Sequence, residues 1–584
     1  MKNPREGEPR PRAAALLPLE VFPAGADPLS PQRQAQWIWA LLLIGLAART
    51  VRYLLQFPLW EDEAMLAANY LDRGYRQLLD PLTYHQVAPP LFLWAQLTVV
   101  KLLGFSECTL RLIPFLCGLG SLCLFRHLAG RLLRGTPLLL AVGMFAVAYP
   151  AIRYSAEAKP YGCDLFLALL MWTLLVEWLR RPDTSRWLWV LAALVGPVVG
   201  FSYPSVFVAG GISLVVAAVL WRCRDRARCV PAWIVFNLIL VAAFLALLAL
   251  NRSAVGANQE MMEETWQETF PPSLMHPWKL LTWLISTHAG GMLAYPVGGP
   301  SLGSSLTLVC WAAGIAILAR RQRLLLGILL TPLGLNFLAA YLHRFPYGGH
   351  CRFTLFEAPA VCLLAAVGIS GGLLWLDKRR AAAVEEPSPS ASLSRWLRYC
   401  TPLNLVLSGL FMVAGASLLR DLSHPYKSGT TLRAREFARW FWFDLAHDSE
   451  LVCLETDLKQ NLSPGTFQWG WSALYLCNQR IYSPRHARGE PPQLDRVSTD
   501  WPLRCVLFRS STEERDDRPL QQWLATMQTQ YLLIARDKYP FPIYDKWEKG
   551  PRTVDFIETF KFIPKSPATD AGAMAAKCSA LVRR

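Results

Sequence analysis

Four polar clusters in a mostly apolar chain carry side chains able to do chemistry. Trp60-Glu61-Asp62-Glu63-Ala64 places three carboxylates in a row, shortly after the first long apolar run. Tyr84-His85-Gln86 stands just ahead of Pro89-Pro90. Arg153-Tyr154-Ser155-Ala156-Glu157-Ala158-Lys159-Pro160-Tyr161 forms a short charged connection, with Asp164 about one turn further on. His343-Arg344-Phe345-Pro346-Tyr347-Gly348-Gly349-His350-Cys351-Arg352 combines histidines, arginines and a glycine pair. A carboxylate can take a proton from an attacking hydroxyl or amine. Arginine, lysine or a divalent metal can stabilise a phosphate that departs. A glycine pair lets backbone approach an anion closely. These residue types point to transfer of a group from a phosphate leaving group. Each cluster also has a plainer reading: a solvated turn for the carboxylates, an exposed Glu157–Lys159 pair worth little, an interfacial anchor for Arg352.

The surroundings decide where such chemistry would take place. Of 584 residues, 53% are hydrophobic and 17% charged, and the mean hydropathy is +0.25. A soluble protein is closer to a quarter charged. The apolar residues are gathered into recurring runs approaching the length of a membrane span, which implies a polytopic membrane protein. The net charge of +16 sits in short loops between those runs. It therefore reads as a topology signal rather than as a nucleic-acid surface. No cleavable signal peptide is expected, because residues 1–36 are polar and rich in Pro and Arg. No CxxC or His-rich metal spacing occurs, and most of the fourteen cysteines fall inside apolar spans, as Cys108, Cys117, Cys123 and Cys163 do.

Charge bias then orders the spans. A basic tail (Lys2, Arg5, Arg10, Arg12, Arg33) puts residues 1–36 in the cytoplasm, and residues 37–55 form the first span. Arg49 and Arg52 lie late in that span, where they snorkel to headgroups or face a phosphate. Residues 91–103 are apolar behind the Pro-Pro helix start. Treating them as an interfacial helix in the first outer loop keeps every later arginine cluster inside: Arg126/Arg131/Arg134, Arg180/Arg181/Arg186, Arg222/Arg224/Arg226/Arg228 and Arg320/Arg321/Arg323. Spans follow at 110–126, 136–152, 161–179, 187–202, 204–220, 232–250, 305–319, 323–342, 353–376 and 401–419, about eleven in all. This arrangement leaves the four polar clusters on one outer face. Residues 251–303 are expected as an outer loop, with an amphipathic stretch at 278–293.

The chain changes character near its end. Residues 377–400 read as a cytoplasmic linker, and residues 420–584 alternate amphipathic helical stretches (432–446, 520–527) with short strand-like runs (450–455, 505–508, 531–535). That pattern predicts a small extracytoplasmic α/β domain, in which Cys453, Cys477, Cys505 and Cys578 are candidates for disulfide pairing.

The motifs together resemble a known family. Trp60-x-Asp62-Glu63-Ala64 resembles the first-loop acidic motif of polyprenyl-phosphate-dependent membrane glycosyltransferases of the GT-C fold, in particular the family-39-like enzymes related to protein O-mannosyltransferases and aminoarabinose transferases. Gln86-Val87-Ala88-Pro89-Pro90-Leu91-Phe92-Leu93-Trp94 resembles the family's juxtamembrane helix. Gly104-Phe105-Ser106-Glu107 with Leu110-Arg111-Leu112 resembles the segment after it. Tyr154-Ser155-x-Glu157-x-Lys159-Pro160-Tyr161-x-x-Asp164 resembles the second-loop motif. The resemblance spans about residues 35–376, so 37–376 is expected as the catalytic module and 401–419 as a last helix before the outer domain. At position 88 an alanine stands where the aminoarabinose branch has lysine. The cytoplasm-facing signatures of nucleotide-sugar enzymes are absent.

The resemblance implies an undecaprenyl-type lipid-phosphate sugar donor and catalysis on the periplasmic side of a bacterial inner membrane. It implies Asp62 as the general base, with Glu63 and Glu157 near the acceptor or a cation. Arg352, Lys159, Tyr161, His85, Arg153, Arg52 and His350 are the candidates for binding donor phosphate or substrate. If a divalent metal is used, Asp62 and Glu157 are its candidate ligands. The rival reading is a transporter or lipid flippase. Such a protein should place charges near the midplane of several spans and often shows repeated halves, whereas here the clusters gather at span ends.

Overall fold

The computed structural model describes residues 21–22, 29–182, 184–222, 228–383, 401–439, 450–453, 468–482, 503–509, 518–544 and 551–565. They divide into two compact units. The larger takes in 1–57 and 73–425; the smaller takes in 58–72 and 426–584.

The larger unit is helical. Its helices, in chain order, are α1 (Pro31–Leu54), then α4 (Pro90–Leu103), α5 (Glu107–Leu132), α6 (Gly135–Ala146), α7 (Tyr149–Tyr154), α8 (Tyr161–Arg180), α9 (Arg186–Phe201) and α10 (Ser205–Arg222). These are followed by α11 (Val230–Trp266), α12 (Pro277–Thr287), α13 (Ser305–Arg321), α14 (Arg323–Tyr341), α15 (Ala358–Ala383) and α16 (Pro402–Ser423). The numbers α2 (Glu61–Ala67) and α3 (Asn69–Asp72) belong to two short helices of the smaller unit. Eight helices among the described residues are long and apolar enough to cross a membrane: α1, α5, α8, α10, residues 230–251 of α11, α14, most of α15, and α16. On α11 the side chains of Leu238, Val241, Leu245 and Leu248 are exposed. A stripe of that kind is costly in water and suits a lipid surround. The chain is thus a multi-pass membrane protein with a small α/β element appended, the class its sequence predicts.

The three remaining expected spans exist as shorter helices. Residues 136–152 do not form one span: α6 has 12 residues, about 18 Å at the helical rise, against a hydrocarbon core of about 30 Å. The break falls just before Tyr149-Pro150: Pro150 has no N–H to give the Ala146 carbonyl four residues back, and it suits the first turn of a new helix. Every residue of α6 is buried, packed among α1, α5, α15 and α16. That explains an all-round apolar sequence that does not span. The stretches 187–202 and 305–319 appear as α9, 16 residues, and α13, 17 residues. Helix α4, with 14 residues, is about 21 Å long and too short to span. It ends at Gly104, whose φ of 84° is one glycine adopts at little cost. Ser106 then caps α5, its hydroxyl accepting from the Thr109 N–H at 3.1 Å.

Residues 251–266 differ from expectation. They continue α11 as helix rather than opening a loop. No proline interrupts Asn251-Arg252-Ser253 through Trp266, and Ala, Glu, Gln and Met there are good helix formers. The proposed linker 377–400 begins inside α15, which runs to Ala383; residues 384–400 lie outside the described residues.

The smaller unit contains α2, α3, α17 (Gly429–Ala438), α18 (Gln468–Tyr482) and α19 (Arg518–Gln530), with strands β1 (Glu450–Cys453), β2 (Leu503–Arg509), β3 (Tyr531–Tyr544) and β4 (Pro551–Pro564). The strands form one sheet in the order β1-β2-β4-β3. β1 and β2 are parallel, so a crossover must join them, and α18 lies in that connection. β4 runs antiparallel to both β2 and β3. Trp523 of α19 packs edge-on against Phe560 and Phe562, with ring centroids 5.8 Å apart in each case. The strand-like runs at 450–455, 505–508 and 531–535 fall on β1, β2 and β3. The helical stretch expected at 432–446 is realised as α17 as far as Ala438; residues 440–449 lie outside the described residues. The disulfide expectation fails for Cys477, which is a free, buried thiol. The side chains of Cys453, Cys505 and Cys578 lie outside the described residues.

Candidate active site

In the larger unit three connections far apart in sequence meet. The first carries Tyr84-His85-Gln86 ahead of α4. Tyr84 and His85 hold φ values of 58° and 50°, a left-handed conformation that bulky residues adopt only at a cost of about 1–2 kcal/mol each. That twist is followed by Gln86, whose side-chain Oε1 accepts from the Lys159 ammonium at 2.6 Å. The Ala88 carbonyl accepts from the Tyr203 hydroxyl at 2.9 Å. Beside this turn is a small, open crevice lined by Leu79, Leu82, Val87, Leu93 and Leu250, with Asp80, Gln86 and Asn251 at its polar edge.

The second connection follows α7. Arg153 Nε donates to Glu157 Oε1 at 2.9 Å, one helical turn apart, and the Glu157 side chain is only 6% exposed. The Lys159 N–H closes the turn on the Glu157 carbonyl at 2.8 Å. Ser155 presses on Gly118 of α5, where an added Cβ would lie 2.3 Å from the Ser155 Cβ. Partial burial works against the Arg153 charge. Glu157 outweighs it, aided by Tyr154 and Cys351, and holds the guanidinium pKa above its ordinary value. The Tyr154 hydroxyl is pushed up by burial, then by Cys351 and Glu157. Tyr154 therefore stays protonated and Arg153 charged at any ordinary pH. Tyr161, half-buried at the start of α8, sits edge-on to Tyr154.

The third connection is 343–352. The Tyr154 hydroxyl lies 3.7 Å from the Cys351 Sγ, tying this loop to the second. Gly348 and Gly349 have φ values of 71° and 68°. A Cβ on Gly348 would meet Thr287 at 2.3 Å, and one on Gly349 would meet Thr269 at 2.4 Å. The glycine pair is thus required by conformation and by packing within the protein. Arg352 lays its guanidinium over the Trp266 ring at 4.8 Å and over Phe353 at 5.0 Å. Exposed His350 meets the edge of the same Trp266, with centroids 5.9 Å apart. Beneath the loop, the Tyr347 hydroxyl donates to His288 Nε2 at 3.2 Å while His288 Nδ1–H donates to the Leu284 carbonyl at 2.8 Å.

Arg52 meets the start of α7. Its Nη1 is 2.5 Å from Asp421 Oδ1 of α16, with both side chains 6% exposed, and 3.4 Å from the Tyr149 hydroxyl. It also stacks over Phe57 at 4.1 Å. Arg52 is therefore held inside the protein, joining the first and last apolar helices of the unit.

In the smaller unit the three carboxylates open α2 and are not equivalent. Glu63 is 2% exposed, and its carboxylate accepts from the Trp60 N–H at 3.0 Å. That is a cap on the helix start. Glu61, Asp62 and Met65 are half-buried, whereas Glu63, Ala64, Leu66 and Ala67 are buried. The helix thus turns one stripe inward and leaves Asp62 on the more accessible one. Sequence reasoning missed Trp266, Tyr149 and Asp421, and named Cys351 only within the 343–352 cluster. Trp266 and Tyr149 had no signal beyond an aromatic side chain. Asp421 had one, an acid at the end of an apolar run.

Among the described residues no three His, Cys, Asp or Glu side chains come together as a metal-binding group, and Glu157 is engaged by Arg153.

No protein-family model matches the sequence, and no curated protein matches it. Among solved structures, the chain is similar to ArnT from Cupriavidus metallidurans in the apo state, at 15% identity and a TM-score of 0.46, over 90% of this chain and 98% of that one. It is also similar to the same protein bound to undecaprenyl phosphate, at 15% identity and a TM-score of 0.44, over 89% and 98%. At that distance the functional reading rests on this chain's own residues.

Proposed function

We propose that this chain is an inverting membrane glycosyltransferase that moves a sugar from a polyprenyl-phosphate donor to an acceptor at the periplasmic face of a bacterial inner membrane. The observation that carries the reading is the convergence of Gln86, Arg153, Glu157, Lys159 and Cys351, drawn from three connections between helices of the larger unit. Cationic side chains at helix ends suit a phosphate headgroup whose hydrocarbon tail stays in the bilayer.

In this reaction the acceptor hydroxyl or amine attacks the anomeric carbon. The sugar–phosphate C–O bond breaks, and its electron pair leaves on the polyprenyl phosphate. The acceptor proton passes to Asp62, the accessible carboxylate of α2. Lys159, which donates to the Gln86 amide oxygen at 2.6 Å, is assigned to the leaving phosphate. Arg352, stacked on Trp266 and Phe353, is held in a planar orientation that suits a phosphate's oxygens. Arg153 fixes Glu157, and Arg52 acts through Asp421 and Tyr149 as a positioning residue. Glu63 holds the start of α2. Tyr161, His85 and His350 are assigned to substrate contact.

The test is incubation of the purified protein in lipid nanodiscs with radiolabelled polyprenyl-phosphate sugars. Release of free polyprenyl phosphate together with loss of the sugar from the lipid supports the reading. Movement of intact donor across a vesicle bilayer without cleavage would replace it with a transporter.

A further inference from the structure

Helix α2 has seven residues, well below the roughly 12–15 an isolated helix needs to persist in water. The Glu63 carboxylate caps its start at the Trp60 N–H. Further support comes from far along the chain. Helix α18 packs against it, and Ala473, Leu474 and Cys477 are wholly buried, a stripe at i, i+1 and i+4 on one helix face. Facing them, Ala64 is wholly buried, and Leu66 and Ala67 are 1% exposed. The Cys477 thiol donates to the Ala64 carbonyl at 3.5 Å, across 413 residues of sequence. That carbonyl also accepts from the Ala68 N–H at 2.8 Å, so the contact is made on the helix's own hydrogen-bond ladder. At the N-terminal end the Lys427 ammonium lies over the Trp60 ring. This cation–π contact holds the residue where the helix begins.

We infer that the C-terminal α/β element is the positioning device for Asp62. Helix α18 grips α2 through Cys477, and Lys427 pins Trp60, so the direction of the Asp62 carboxylate is set by Lys427 and α18. The inference rests on the proposed role of Asp62 as base. It gives the C-terminal element a task in the chemical step, distinct from choosing an acceptor. A base displaced by about 1 Å loses on the order of 100-fold in rate, while binding of the donor elsewhere is untouched. Cys477 is accordingly a positioning residue. The wholly buried contact leaves no room for a larger side chain beside Ala64.

The test compares wild type, Cys477→Leu, Cys477→Ser and Lys427→Met as full-length protein in nanodiscs. Hydrogen exchange of the peptide covering residues 60–68 is read alongside kcat and KM for the lipid donor. Cys477→Leu is expected to lower α2 protection at least tenfold and kcat at least tenfold, with KM within twofold. Cys477→Ser, which retains a donor of similar size, is expected to recover most of both. Lys427→Met covers the case in which Cys477→Leu fails to fold, and is expected to lower kcat two- to tenfold with KM unchanged. Wild-type exchange and kcat in Cys477→Leu, or in Lys427→Met where that variant stands in, would overturn the positioning. So would a loss expressed wholly in KM. A wild-type protein that protects α2 but releases no lipid phosphate would overturn the reading on which the inference rests.

Discussion

Removing Arg52 tests whether it is a clasp or a ligand for the donor. Its guanidinium pairs with Asp421 at 2.5 Å, and both side chains are 6% exposed. Asp421 takes one further bond, from the Tyr149 hydroxyl at 3.3 Å. Breaking a buried pair by deleting one partner leaves the other charge uncompensated, at a cost of about 3–5 kcal/mol. Replacing both partners with apolar side chains of similar volume is often nearly neutral. Arg52→Met and Asp421→Leu should therefore each destabilise by about 3–5 kcal/mol, and the double variant by about 0–1 kcal/mol. At roughly 1 °C per kcal/mol for a unit of about 400 residues, from an unfolding entropy of about 2.1 cal/mol/K per residue, each single variant should melt roughly 3–6 °C low and the double within about 1 °C of wild type. Intrinsic tryptophan fluorescence during heating in detergent, at one fixed scan rate, reads this directly. A double variant that melts as low as either single would refute the clasp. So would Arg52→Met at wild-type melting temperature with a raised KM for the donor, the signature of a residue that binds phosphate.

Other outcomes follow from particular contacts. Gly314 and Gly368 sit where α13 crosses α15, and a Cβ on either would lie 1.9 Å from a carbonyl oxygen of the facing helix. Gly368→Ala should cost about 1–3 kcal/mol by overpacking, visible as a lower melting temperature. Burial lowers the His288 pKa, opposed by its bond to the Leu284 carbonyl, so the folded protein keeps this imidazole neutral. Its contribution to stability is complete above the unfolded-state pKa of about 6.5 and is lost as pH falls through the folded value. The melting temperature of His288→Phe should accordingly fall less between pH 7 and pH 5 than that of wild type. Lys159→Gln should raise KM for the lipid donor by about 10- to 100-fold, the worth of roughly one charge-assisted hydrogen bond, measured by initial rates of lipid-phosphate release.

Much of the frame was legible because apolar runs and turn residues have direct physical consequences. Pro89-Pro90 starts α4, Gly104 ends it and Ser106 caps α5, as their backbone preferences require. The strands near 450, 505 and 531 follow from short continuous apolar runs. The missed features depend on tertiary context. Helix α6 reads as a span because a helix buried inside the protein is as apolar as one facing lipid. The continuation of α11 past 251 reads as a loop because polarity was taken for the end of a helix. At the site, the residue types were readable but their pairings were not. Nothing local says that Lys159 meets Gln86, that Arg52 meets Asp421 or that Cys477 meets Ala64, contacts that span 73, 369 and 413 residues. The inequality of the three carboxylates is a matter of helical phase. Once α2 begins at Glu61, Glu63 turns inward to cap it and Asp62 stays accessible.

The central claim is that Asp62 accepts the acceptor's proton, and one substitution tests it most directly. Asp62→Asn keeps the size of the side chain and removes its basicity. With Asp62→Asn inserted and melting like wild type, the account predicts release of polyprenyl phosphate from a labelled donor about 100- to 10,000-fold slower, the range that a general base contributes, with donor binding retained. Release at the wild-type rate by Asp62→Asn would contradict it.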